Sequence, residues 1–368
     1  HHDNLFPNGH TGAITKAVVS HSGKYVFTCG QDGKLKLWHL KTAKCIKDIK
    51  KYDYYINSIS VSQDYIAVST SSYVEILDID TYEVKQKYNK AYYGLFSPNG
   101  KYLLLLFYMK KARLLNITSG NFSLIGKLPR AARCIYSDGV ARFGNYVFSP
   151  DSSYFVFKPF SLSQSHTELW KTDTCSPIST IEEQDYNNNL SFSPDGKYLL
   201  SFDPLCRLKL FAFDKVSGKT QLIHDIQFKR ILNYESPTIT CIQFVVNGKY
   251  VLMGDSYGNL FQCDFETLLI SPENINDHCW LLNGHYDSIN SIYEYVSNNI
   301  HFAITSSSDC KVKIWNLHTT KCISLLHKGN MSSTLSACYI LDGKYIVISG
   351  NSRELLIFDP LTGKYVDR

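Results

Sequence analysis

"CGQDGKLKLWHLKTAKCI", from Cys29 to Ile46, returns almost word for word as "SSSDCKVKIWNLHTTKCI", from Ser306 to Ile323. The likeness runs further upstream, where "NGHTGAIT" precedes the first line and "NGHYDSIN" the second. A chain that repeats itself in this way is read first for its period. Between the two lines one pattern recurs: an apolar alternation, a tight turn of Ser-Pro-Asp-Gly type, Lys-Tyr, and a second apolar run. It is written as "SHSGKYVFTC", "SPNGKYLLLL", "SPDSSYFVF", "SPDGKYLLSF", "VVNGKYVLMG" and "LDGKYIVISG". Proline presets one turn dihedral and glycine relieves another, so such a turn between alternating runs marks a hairpin.

A third alternating run follows each hairpin, among them "KLKLWHL", "YVEILDI", "RLKLFAF", "NLFQCDF" and "KVKIWNL". Period two places its side chains on opposite faces of a sheet. A fourth, edge-like run such as "KCIKDIK", "EVKQKY" or "KCISLLH" usually comes next. Four-stranded units repeated around a circle leave only short, protected edges, which is the β-propeller architecture. The fold expected is therefore all-β, a single propeller domain over residues 3–368, with His1 and His2 read as a tag remnant. Units beginning near Gly9, Tyr54, Ala91, Phe143, Tyr186, Pro237, Gly284 and Gly329 give eight four-stranded blades. The alternative is seven blades with insertions, and the segment "RAARCIYSDGVA" is the join on which the choice turns.

These units resemble the WD-repeat (transducin β-like) family of β-propellers. The resemblance implies a structural tetrad of His, Ser or Thr, Asp and Trp in each complete repeat. In the first unit these positions fall on His10, Thr28, Asp32 and Trp38, and in the seventh on His285, Thr305, Asp309 and Trp315. Elsewhere Leu77, Phe213, Cys263 and Phe358 stand near the place of the Trp, and those units are expected to rely on apolar packing. For ring closure, either Asn4 to Pro7 or the run "GKYVDR" offers the fourth strand of the last unit.

Composition adds limits. With 44% hydrophobic and 19% charged residues the chain has the balance of a globular protein, and no run is long and apolar enough to span a membrane. Eleven cysteines scattered singly, without a Cys-x-x-Cys, read as reduced thiols of an intracellular protein, cytoplasmic or nuclear. The Asn-x-Ser/Thr triplets at Asn116, Asn121, Asn189 and Asn330 read as chance in an Asn- and Ser-rich chain.

The sequence holds no His-Glu-x-x-His, Gly-x-Ser-x-Gly or Gly-x-Gly-x-x-Gly. The cluster Asp277-His278-Cys279 reads as a loop, and His10 and His285 as structural. No enzyme, cofactor, metal or small-molecule substrate is expected. The expectation is a noncatalytic scaffold that binds protein or peptide partners within a larger assembly. Its partner-binding residues sit where the innermost strands begin, around the channel: Thr15, Asn57, Tyr92, Asn188, Thr240 and Asn290, with Leu335 at the same register. The alternative is a component of a ribosome-assembly or splicing particle that touches RNA through a basic rim. Its lysines and arginines would come from Lys44, Lys47, Lys50 and Lys51, from Lys85, Lys87 and Lys90, and from the clusters at Lys110–Arg113, Lys127–Arg133 and Lys229–Arg230.

Overall fold

A computed structural model describes residues 9–22, 24–39, 44–107, 111–127, 135–137, 140–142, 146–157, 166–182, 189–202, 207–214, 219–227, 238–282, 284–297, 299–326, 334–340, 345–350 and 356–359. The chain is an all-β propeller. Blade 1 is built from Ile14–Val19, Tyr25–Gly30, Lys34–His39 and Lys44–Lys51, each strand antiparallel to the one before. Blade 2 uses Ile56–Val61, Tyr65–Thr70, Tyr73–Asp78 and Val84–Asn89, and blade 3 uses Ala91–Phe96, Tyr102–Phe107, Lys111–Asn116 and Phe122–Lys127. Blade 4 follows with Tyr146–Phe148, Tyr154–Phe157, His166–Lys171 and Ser176–Glu182, and blade 5 with Asn189–Phe192, Tyr198–Phe202, Arg207–Phe213 and Thr220–Gln227. Blade 6 comprises Ile239–Val245, Tyr250–Asp255, Leu260–Asp264 and Cys279–Leu282; blade 7 comprises Ile289–Ser297, Ile300–Ser307, Val312–Asn316 and Lys321–Leu326.

A three-stranded sheet of Thr334–Ile340, Tyr345–Gly350 and Leu356–Phe358 lies between blade 7 and blade 1 and closes the ring. This corrects the expectation of eight four-stranded blades. Seven blades have four strands, as the alternative had it, and the last unit has three among the described residues. Both segments expected to supply its fourth strand lie outside the described residues. The doubtful join between blades 3 and 4 carries a small separate hairpin, Ile135–Ser137 with Val140–Arg142.

The cores lie between blades, as the strand alternation requires. Phe27, Leu35 and Leu37 of blade 1 pack with Ile66, Val68 and Leu77 of blade 2, and Leu104 and Leu106 of blade 3 pack with Phe155 and Trp170 of blade 4. Polar latches add to the apolar contact: the Thr15 hydroxyl donates to the Ile56 carbonyl at 2.6 Å, and the Thr240 hydroxyl to the Ile289 carbonyl at 2.5 Å. Gln262, buried to 1% exposure, donates from its amide to the Leu317 carbonyl across the blade 6–7 boundary.

Blade 6 departs from the period. Between its third and fourth strands stand an α-helix, Phe265–Ile270, and a 3-10 helix, Pro272–Asp277. Asp264 starts the α-helix by accepting from the Thr267 N–H at 2.9 Å, which satisfies one of the free first-turn donors. A disulfide joins Cys263 to Cys279 and closes the base of this insertion. The expectation that the thiols are reduced is corrected for this pair. Cys29, Cys45, Cys175, Cys241, Cys310 and Cys322 are free. No helix among the described residues is long and apolar enough to cross a membrane.

Candidate partner-binding face and the blade networks

In blade 1 the loop leading to the first strand carries His10, the second strand carries Thr28, the turn after it Asp32, and the third strand Trp38. Antiparallel pairing brings all four together. His10 Nδ1 lies 3.0 Å from both Asp32 oxygens, His10 Nε2 2.8 Å from Thr28 Oγ1, and Trp38 Nε1 donates to the same Thr28 Oγ1 at 2.7 Å. Blade 7 repeats the arrangement: His285 Nδ1 to Asp309 at 3.0 Å, His285 Nε2 to Thr305 at 2.8 Å, and Trp315 Nε1 to Thr305 at 2.9 Å. Buried polar atoms need partners, and each network closes on itself.

The carboxylates also hold the neighbouring backbone. Asp32 accepts from the Thr11 and Lys34 N–H groups, and Asp309 from those of Tyr286 and Lys311. Burial raises the pKa of both carboxyls, but the bonds from histidine and from these N–H groups outweigh it and hold each at about 2. Burial pushes the free thiols of Cys29 and Cys241 up to about 12, which leaves them poor nucleophiles.

The register locates the remaining blades. Trp38 pairs with Val26, one residue after the Lys-Tyr, and the same step in blade 2 reaches Leu77, in blade 6 Cys263 and in the closing sheet Phe358. In blade 5 it reaches Phe211, not Phe213, because Leu199 pairs with Phe211. Blade 4 has a tryptophan at this register that the sequence reading missed: Trp170 pairs with Phe155, and its Nε1 donates to Glu168 at 3.0 Å instead of to a hydroxyl.

The residues expected around the channel share one backbone feature. Pairing skips a residue at Thr15, Asn57, Thr240, Asn290 and Leu335, each directly after the first residue of its strand, and also at Tyr92. Each is a β-bulge, a device that re-aims a side chain at the end of a sheet. Their side chains then differ. Thr15 and Thr240 donate to the next blade, as given above, and Asn290 Nδ2 donates to Ser308 Oγ at 3.2 Å. Asn57 is half-buried, with no side-chain partner among the described residues. Tyr92 is corrected, since its ring is buried at 7% exposure with Leu104, Leu106 and Phe155 and is not offered to the channel. Asn188 lies outside the described residues.

Two further exposed tyrosines flank this face. Tyr286, at 86% exposure, follows His285, and Tyr257 stands in the blade 6 turn whose Gly258 carbonyl accepts from the His285 N–H at 2.6 Å. They lack a repeat signature in the sequence, and only the meeting of turn and loop reveals them. Cys279 of the Asp277-His278-Cys279 cluster is in the disulfide, and among the described residues no three His, Cys, Asp or Glu side chains converge as a metal site. Of the basic clusters, Lys50 of blade 1 and Lys87 of blade 2 meet at the Glu75 carboxylate, whereas Lys110, Arg130, Arg133, Lys229 and Arg230 lie outside the described residues.

Comparison with known proteins agrees with this geometry. The family described as "WD domain, G-beta repeat" matches residues 4–39 and 277–316, the two segments that carry the networks. Over 185 residues the chain is 30% identical to the tRNA (guanine-N(7)-)-methyltransferase non-catalytic subunit wuho of Aedes aegypti; the match takes in 47% of this chain and 41% of that protein's length. Among solved structures, the computationally designed Ika8 protein superposes with a TM-score of 0.71 at 16% identity, covering 96% of this chain and 98% of that one. The Cps50 (Swd1) β-propeller domain of Myceliophteria thermophila gives 0.57 at 13% identity, over 95% and 98%. At these identities the two structures speak for the fold alone.

Proposed function

This chain is a member of the WD-repeat family of β-propellers, and from that premise we propose that it is a noncatalytic scaffold binding protein or peptide partners within a larger assembly. One observation carries the noncatalytic part. In each His–Asp pair, the nearest approach to a general-base dyad, Nδ1 is held by the carboxylate and Nε2 by a threonine hydroxyl, and the histidine side chain is fully buried. A general base needs a ring nitrogen within reach of a substrate proton, and here both nitrogens are occupied. The rigid frame with bulges at Asn57 and Asn290 supports a reading in which these uncharged amides meet an entering peptide. No cofactor or small-molecule substrate belongs to this reading, and its compartment is the cytoplasm or the nucleus. The name of the Aedes aegypti relative, a non-catalytic subunit, supports the same class of role.

That name also favours a second reading, a component of an RNA-acting particle whose basic rim touches RNA. Affinity capture of the tagged chain from cells, with and without RNase and read by mass spectrometry, separates the two. Partners that persist through RNase are the expected result; partners that vanish with the RNA would replace the scaffold reading by the second.

A further inference from the structure

The two short helices of blade 6 form a plug that one covalent bond ties down. Phe265, the first residue of the α-helix, stands edge-on to two rings, 5.3 Å from Tyr198 of blade 5 and 5.0 Å from Phe244 of blade 6. Leu268 is fully buried in the core between these blades, and His224 of blade 5 donates from Nε2 to the Leu269 carbonyl at 2.7 Å. A helix of six residues does not hold itself together in water, so its order comes from this packing and from its tethered ends. Strand pairing adds little to the tether. The fourth strand, Cys279–Leu282, has four residues, where those of blades 1 and 5 have eight, and the Cys263–Cys279 bond closes the register pair nearest the plug.

The two sulfurs are unlike. Cys263 is fully buried among apolar side chains, whereas Cys279 is partly exposed between the exposed His278 and Trp280. A thiolate arriving from solvent therefore meets the Cys279 sulfur first. The six other described cysteines are free thiols. Breaking the bond leaves the ring whole, because the first three strands of blade 6 pair with one another without the plug. We propose that the Cys263–Cys279 bond is a thiol–disulfide switch, which a dithiol reductant opens to release the plug from blade 5. One reductant thiolate attacks the Cys279 sulfur and forms a mixed disulfide, while Cys263 departs as the thiolate and takes up a proton. The second reductant thiol then displaces Cys279 as a thiol, and the reductant leaves as its own disulfide, oxidised by the two electrons the chain has gained. Without the bond, residues 265–277 are a loop whose closure entropy opposes the packing of the helix. The apolar floor of Tyr198, Ile223, Ile226 and Phe244 then opens to solvent as a local event.

The test is proteolysis of the native full chain by subtilisin before and after exposure to dithiothreitol, each cut placed by mass spectrometry. Differential alkylation should find Cys263 and Cys279 blocked before the reductant and free after it. Cutting within residues 265–277 should speed up about tenfold or more on reduction, while cutting in the strands of blades 1 and 2 should change by less than about twofold. Reoxidation with oxidised glutathione should restore the slow rate. Cys263→Ser with Cys279→Ser should show the fast rate with or without reductant, and Cys45→Ser with Cys322→Ser should respond as the parent does. If the first pair of substitutions prevents folding, the reversible response of the parent decides. A pair found free before the reductant, a bond that resists dithiothreitol in the native chain, or unchanged cutting of the plug on reduction would overturn the proposal. So would cuts spread evenly through all blades, which would make the bond a staple of the whole ring.

Discussion

Cys263 and Cys279 face each other across the third and fourth strands of blade 6 at the register that Trp38 and Cys45 hold in blade 1, and Trp315 and Cys322 in blade 7. Blade 6, one of the units without the tryptophan, has a covalent bond in its place, closing a loop with a sequence separation of 16. Cys263→Ser should therefore lower stability by about 3 kcal/mol, the size expected for a loop of this length. Thermal melts with and without dithiothreitol check this. Reductant should lower the melting point of the parent chain and leave that of the variant unchanged, and Cys45→Ser should behave like the parent.

Thr305 Oγ1 accepts from Trp315 Nε1 and lies 2.8 Å from His285 Nε2, so its hydroxyl is the junction of the blade 7 network. Thr305→Val keeps the shape and leaves the buried Trp315 N–H and His285 Nε2 without this partner, for an expected loss of about 1–3 kcal/mol in urea unfolding. Trp315→Ala adds a cavity beside Leu252 and Ile292, and its loss should rise to about 3–5 kcal/mol.

The two network carboxylates also set an acid limit. Their folded pKa of about 2 lies below the ordinary carboxyl value of 3.8, so their contribution is complete above the ordinary value and is lost as pH falls toward 2. Unfolding free energy measured by urea titration should fall through that window. The double variant Asp32→Asn, Asp309→Asn should start lower and fall less steeply.

Gly258 has φ +87°, and an added Cβ would meet the His285 carbonyl oxygen at 2.3 Å. Gly258→Ala should strain the turn and push blade 6 away from the loop that carries the blade 7 network, costing about 1–3 kcal/mol. Alanine placed at Gly120, where φ is also positive but nothing lies within 4 Å, should cost less in the same melting assay.

The repeated line at Cys29 and Ser306 made the propeller legible, because the same four side chains recur at the same spacing and only one blade geometry joins them. The positions expected around the channel share a backbone feature for a related reason: those within the described residues follow the first residue of an inner strand, where the bulge falls. What stayed hidden depended on register or on distance across an insertion. Phe211 and Phe213 both alternate correctly along one strand, and pairing alone separates them. Trp170 lacked a Gly-His and an Asp turn to announce it. The Cys263–Cys279 bond joins residues on either side of two short helices that the strand period does not foresee. Tyr92 looked like a channel residue by position, but its large apolar ring gained more by packing between blades 3 and 4.

The central claim is that partners engage the face where the inner strands begin. Its most direct measurement is affinity capture, under RNase, of the chain carrying Asn57→Arg and Asn290→Arg, compared with the parent and with a rim control at Lys197. Each arginine would put a charge on a half-buried, bulged position. The account predicts that the folded double variant loses partners that the parent and the rim control retain. An unchanged set of partners on all three would contradict it.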